Sequence, residues 1–243
     1  MKQLLKKSFS KETWSYPTNM NLTMKKITIL FVVFIIGQVG IGFLISTINQ
    51  TIPSVEINYM LLNVLMNLFM IIIIPIIYSH REVIRDFFNK SLVSSKTIQS
   101  GIFYGLVAIA VNILVGALLF YLYSMLGVEP KQQQVVQLVE GTKNLNPIFL
   151  YFAIAISAPI AEEIFFRGVV FRTFALKINY RNAIIMSSIL FSLLHFDLYY
   201  IPQIFLISLV FSVAYNETGS ILTPIIAHLI SNSLFIIPFL ISL

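Results

Sequence analysis

The chain has no cysteine and very little charge. The absence of cysteine excludes disulfides, thiolate nucleophiles and cysteine-ligated zinc. Charged residues make up 11% of the 243 residues, less than half of the roughly 25% usual in soluble domains. Hydrophobic residues make up 58%. These proportions exclude an ordinary soluble domain and predict an integral membrane protein.

Seven apolar runs approach the length of about 20 residues that a helix needs to cross a bilayer. The sequence therefore predicts an all-α fold, a polytopic bundle of about seven transmembrane helices. The runs cover roughly residues 27–45, 59–78, 102–126, 147–175, 182–196, 201–215 and 221–241.

Lysine and arginine indicate the orientation of this bundle. The net charge of +6 is spread over short loops rather than gathered in a patch, so no nucleic acid is expected as a partner. Thirteen basic residues fall in alternate loops, including Arg172 after the fourth run, against two on the opposite side. The positive-inside rule then places the N-terminus in the cytoplasm. We divide the chain into a basic cytoplasmic segment (1–26), helices without a motif (27–145) and a catalytic membrane core (146–243).

The fourth run contains three charges, on Glu162, Glu163 and Arg167. Each costs about 2.5 kcal/mol or more at membrane depth, so their presence indicates chemistry or transport. Glu163 and Arg167 are spaced i, i+4 and are predicted to form a buried ion pair. Glu162 is turned by about 100° from Glu163, so it is predicted to face a cavity as the reactive carboxylate.

Three further polar residues lie in the last apolar runs. His195 is in the fifth run, and His228 and Asn232 are spaced i, i+4 in the seventh. Counting about 1.5 Å per residue from the cytoplasmic helix ends places Glu162, His195 and His228 at comparable depths. We therefore expect these groups to meet in one cavity.

Two chemistries fit this set. In the first, Glu162 and His195 activate a water molecule while His228 and Asn232 stabilise the oxyanion formed at a peptide carbonyl. In the second, Glu162, His195 and His228 bind zinc, although the His-Glu-x-x-His spacing of zinc proteases is missing. The residue types do not decide between them, and we favour the metal-free reading. A proton-coupled transporter or a non-catalytic scaffold are the alternatives outside hydrolysis.

Three short motifs occur in order on successive apolar runs: Glu-Glu-x-x-x-Arg (162–167), Phe-x-x-x-His (191–195) and His-x-x-x-Asn (228–232). Together they resemble the CAAX-processing and bacteriocin-processing (CPBP, or Abi) family of intramembrane proteases, which is related to the type II CAAX prenyl endopeptidase. The resemblance covers roughly residues 146–238 and leaves the first hundred residues without a motif.

The resemblance implies a multi-pass membrane protease acting on a membrane-associated peptide or protein. It assigns water activation to Glu162 and His195 and the oxyanion hole to His228 and Asn232, with Glu163 and Arg167 as required parts of the first motif. It leaves open whether the mechanism is of the glutamate type or metal-dependent. The Ile- and Lys-rich composition is similar to that of Gram-positive bacterial members, which implies the plasma membrane and a role in pheromone or bacteriocin maturation or self-immunity.

Overall fold

A computed structural model describes the chain as helical, mainly over its C-terminal part. The described residues are 28–29, 32–33, 36–37, 40, 43, 47, 64–72, 93–129, 131–133, 136–137 and 146–241. No strand occurs within these ranges, which agrees with the predicted all-α class. Segment 1–26, most of the first two predicted spans and most of the connector before residue 146 lie outside the described residues.

Five helices form the continuous part of the described chain. Helix α1 is Ser95–Met125, and Ser94 caps it by accepting a hydrogen bond from the Thr97 N–H. Helix α2 is Pro147–Lys177, with the side chain of Asn146 as its cap and a proline at its first position, where no N–H is needed. The remaining helices are α3 (Tyr180–Leu193), α4 (Ile201–Thr218) and α5 (Leu222–Ile241).

Three of the described helices, α1, α2 and α5, are long and apolar enough to cross a membrane. Helix α3 has 14 residues, which rise about 21 Å against a hydrocarbon core of about 30 Å. The predicted fifth run was wrong at its end, because α3 stops at Leu193 and His195 lies in the following turn. The total of seven spans and the cytoplasmic N-terminus remain predictions.

Helix α1 packs closely on α5 because two glycines face it. An added Cβ at Gly101 would lie 2.7 Å from the Cβ of Ile226, and one at Gly105 would lie 2.9 Å from that of Ile230. Small residues spaced by four let membrane helices approach each other, and their backbones then pack in direct contact. This contact seats the helix that carries His228 and Asn232.

Arg172 is not a loop residue, contrary to the prediction. Helix α2 continues past it to Lys177, and Arg172 is 4% exposed. Its Nε donates a hydrogen bond to the hydroxyl of Tyr215 on α4, and its guanidinium lies 5.7 Å from the centre of that ring. A delocalised, weakly hydrated guanidinium can be buried against an aromatic ring, which hydropathy and loop charge alone do not reveal.

Candidate active site

Glu163 is at the centre of a buried hydrogen-bonded cluster. Its Oε1 accepts a hydrogen bond from Arg167 Nη1 at 2.9 Å, one turn further along α2. The same oxygen lies 2.9 Å from Nδ1 of His228 on α5. Glu163 and Arg167 are both 0% exposed. The predicted i, i+4 ion pair is therefore present, and it has a third member from another helix.

Arg167 connects this cluster to α4. Its Nη2 donates to the backbone oxygen of Ser208 at 2.8 Å and to the Ser208 Oγ at 2.7 Å. Its Cζ lies 4.9 Å from the centre of the Phe191 ring and 5.6 Å from that of Phe211. A buried guanidinium needs both an anionic partner and further acceptors to offset its desolvation, and this arrangement supplies them.

The two glutamates differ in exposure, which separates their possible roles. The Glu162 side chain is 25% exposed, whereas that of Glu163 is 0% exposed. Oε2 of Glu162 lies 3.9 Å from Nε2 of His228. Glu162 is thus the carboxylate that a water molecule or substrate can reach, and His228 lies between the two acids.

The hydrogen bond to Glu163 restricts the protonation of His228. A carboxylate oxygen only accepts, so Nδ1 of His228 must carry a proton. Nε2 can then donate only if the imidazole is protonated on both nitrogens. If His228 carries both protons, its positive charge and that of Arg167 offset the negative charges of the two carboxylates. The net charge of the four groups is then zero. Phe211 stacks on the imidazole, with the ring centres 4.5 Å apart.

His195 joins the cluster through Phe191. Its Nδ1 lies 2.8 Å from the carbonyl oxygen of Phe191, which only accepts, so Nδ1 carries the proton and Nε2 keeps its lone pair in the neutral ring. The Phe191 ring centre lies 4.8 Å from that of His195 and 6.1 Å from that of His228. Both predicted histidines therefore contact one aromatic ring.

The alternative zinc set of Glu162, His195 and His228 is not assembled in this arrangement. Among the described residues, no three histidine, aspartate or glutamate side chains are grouped closely enough to hold a metal ion. The residues as placed do not fit a zinc ion with three protein ligands.

Asn232 compensates for a break in the hydrogen bonding of α2. Residues Phe152–Ser157 form a π-helical turn, and the Ala158 N–H bonds to the Ala153 oxygen. Pro159 has no N–H, so the helix itself leaves the oxygen of Ile154 without its donor. Asn232 Nδ2 donates to that oxygen at 3.0 Å. The amide carries a second N–H, which this bond does not use.

Ser208 and Phe211 are site residues that the sequence reasoning missed. Both lie on α4 and are 0% exposed. A usable signal was the spacing of Ser208, Ser212 and Asn216, which places polar side chains every fourth residue along an apolar helix. Such a stripe marks the face that packs against protein rather than lipid.

The site combines buried carboxylates, a guanidinium and an imidazole on apolar helices. This combination is typical of membrane-embedded proteins that have ionisable groups in their interior. Comparison with known proteins finds a similarity in the same part of the chain: residues 144–234 match the family model described as type II CAAX prenyl endopeptidase Rce1-like. This match includes all six predicted site residues and confirms the resemblance inferred from the motifs. The matched part of the chain is therefore similar to CAAX protease-like membrane proteins.

Two curated relatives agree with this family. The membrane-embedded CAAX protease MroQ of Staphylococcus aureus (strain USA300) is 38% identical over 97 residues, which are 37% of this chain and 39% of the relative. The putative membrane peptidase YdiL of Bacillus subtilis (strain 168) is 27% identical over 122 residues, 50% of this chain and 48% of the relative. The matches thus span less than half the length of these relatives. No solved structure matches the chain.

Proposed function

We propose that this protein is an intramembrane endopeptidase that hydrolyses a peptide bond in a membrane-associated peptide or protein. The observation that supports it most is the position of His228, 2.9 Å from the buried Glu163 and 3.9 Å from the accessible Glu162. A purely structural ion pair has no need of a second, exposed carboxylate beside the same imidazole.

In the proposed reaction, Glu162 is the general base. It accepts a proton from a water molecule that it holds together with Nε2 of His195. The oxygen of that water bonds to the carbonyl carbon of the peptide, and the carbonyl oxygen becomes an oxyanion. When the tetrahedral intermediate collapses, the C–N bond breaks and Glu162 returns the proton to the leaving amine.

His228 and Asn232 stabilise the oxyanion in this proposal. Nε2–H of the protonated His228 and the second N–H of Asn232 are the available donors, from one face of α5. Glu163 fixes the imidazole through Nδ1, and Arg167 fixes Glu163. Glu163 and Arg167 therefore act by orientation and charge balance rather than by contact with the substrate.

No step of this proposal uses a metal ion. The proposed substrate class, a membrane-associated peptide or protein, is inferred from the membrane location and the family alone. Maturation of a peptide pheromone or bacteriocin, or self-immunity, are the proposed biological roles. The plasma membrane of a Gram-positive bacterium is the proposed location, and the two relatives come from such bacteria.

The test is the Glu162→Gln variant, assayed in proteoliposomes with candidate membrane peptides and mass spectrometry of the products. The wild type should release cut peptides, and the variant should release none, because an amide cannot take the proton. Glu129→Gln, at an exposed position outside the site, is the matched control and should cleave normally. Metal analysis and cleavage in chelator, run on the same samples, separate the two hydrolytic mechanisms.

Other results would point to other functions. Undiminished cleavage by Glu162→Gln would remove Glu162 as the base. Uptake of peptide into the liposomes without any cut product would indicate a transporter. A biological activity that survives in Glu162→Gln while no cleavage is detected in the wild type would indicate a scaffold.

A further inference from the structure

The turn that carries His195 has an unusual backbone. It connects α3, which ends at Leu193, to α4, which begins at Ile201. Phe196, directly after His195, has φ of 51°, in the left-handed region that non-glycine residues rarely adopt. Its side chain is 66% exposed, so its own packing does not hold this conformation. Such a conformation persists only where surrounding contacts impose it.

Two tyrosine hydroxyls hold the end of this turn. Tyr123, near the end of α1, donates to the backbone oxygen of Tyr199 at 3.2 Å, and the two rings lie 4.3 Å apart. Tyr200 donates to the backbone oxygen of Lys131, in the segment that follows α1. Tyr123 and Lys131 both lie outside the residues that match the family model.

The lengths of the helices explain why α1 reaches this turn. The 14 residues of α3 rise about 21 Å, less than the roughly 30 Å of a hydrocarbon core. The 31 residues of α1 rise about 46 Å, and Tyr123, near the end of this helix, contacts the turn. Irregular backbone at membrane depth needs protein partners for its polar groups, and the hydroxyl of Tyr123 is such a partner for the Tyr199 oxygen.

On the basis of the function proposed above, we infer that Tyr123 and Tyr200 are positioning residues for His195. Both bonds fasten the last residues of the turn, four and five positions after the histidine. They hold the turn so that Nδ1 of His195 donates to the Phe191 oxygen and Nε2 points away from that bond, as water activation requires. The contribution of α1 to the reaction is to orient His195 from outside the family core.

The orientation of His195 can be measured without any assay of cleavage. The chain has three histidines, so the signals of ¹⁵N-histidine-labelled protein can be assigned by replacing them one at a time. Tyr123→Phe removes the hydroxyl and keeps the ring. We expect it to shift or broaden the Nδ1 signal of His195 and to leave that of His228 unchanged. Tyr121→Phe is the matched control on the same helix, since Tyr121 is 60% exposed, and it should change neither signal.

Cleavage kinetics supply the second measurement. Because small errors in the position of a reacting group are costly, we expect Tyr123→Phe to lower kcat by about tenfold to a hundredfold with little change in KM. Tyr200→Phe removes the other bond and should act in the same direction. It also keeps the inference testable if Tyr123→Phe fails to fold. Tyr121→Phe should cleave like the wild type.

The outcomes separate this inference from the proposed function. A His195 signal that stays at its wild-type position in both Tyr123→Phe and Tyr200→Phe would overturn the positioning role. Equal changes at His195 and His228 would also overturn it, because they would show general loosening. A selective change at His195 in a protein that cleaves nothing would support the positioning of the turn and reject the protease.

Discussion

Helices α1 and α2 have 31 residues each, and both are apolar enough to cross a membrane, yet they differ in their surroundings. In the most apolar stretch of α2, 50% of the residues are buried in the protein, against 11% in α1. Helix α2 carries Glu162, Glu163, Arg167 and Arg172, whereas α1 has a single charge, Lys96, near its start. In these two described helices, the buried charges lie on the one that neighbouring helices surround and can pair.

Helix α1, the less buried of the two, also supports the buried site. Helix α1 contacts α5 through Gly101 and Gly105 and reaches the His195 turn through Tyr123. Helix α1 thus positions α5 and the His195 turn and supplies no reactive group. Three substitutions, on α2, α5 and α1 in turn, test this division between helices that carry chemistry and a helix that supports them.

The largest effect is expected at Arg167. Arg167→Met removes the guanidinium that pairs with the buried Glu163 carboxylate, which should destabilise the protein by about 3–5 kcal/mol. Denaturant unfolding of the purified protein measures this, with the exposed Arg181→Met as the matched control. Adding Glu163→Gln should recover part of the loss, since both charges are then gone. Wild-type stability in Arg167→Met would refute the bracing role of the pair.

An intermediate effect is expected at Asn232. Asn232→Ala should lower kcat by roughly 10² to 10³-fold, as the loss of one oxyanion donor does elsewhere. It also leaves the Ile154 oxygen without a donor, at a cost of about 1–3 kcal/mol in stability. Pro159→Ala supplies an N–H in the helix, so in that background the stability loss should shrink while the kcat loss remains. An unchanged kcat would remove Asn232 from the site and leave it a structural role only.

The smallest effect is expected on α1. Gly105→Ala places a Cβ 2.9 Å from the Ile230 Cβ and 3.1 Å from the Ala227 oxygen, so α5 must move. We expect a loss of about 1–3 kcal/mol in stability, because overpacked contacts cost about this much. Ala110→Val, on an exposed position of the same helix, should stay within about 0.5 kcal/mol. Equal effects of the two substitutions would show that α1 does not seat α5.

Features within a single helix were predictable from the sequence. The spacing of Glu163 and Arg167 predicts their contact, because residues four apart lie on one face whatever surrounds them. The long apolar runs predict membrane helices, and the bounds of α2, α4 and α5 agree with them closely. The end of α3 was less predictable, since Leu194 and Phe196 continue the apolar run after the helix has stopped.

The sequence by itself determined the helical class, the membrane location, the ion pair of α2 and the three motifs, which lie within the residues that match the family model. Only the tertiary structure decided that His228 shares Oε1 of Glu163 with Arg167 and that Asn232 bonds to the Ile154 oxygen. The physical reason is that periodicity is a property of one helix. The partners of a buried polar group depend on which helix faces replace water and lipid around it.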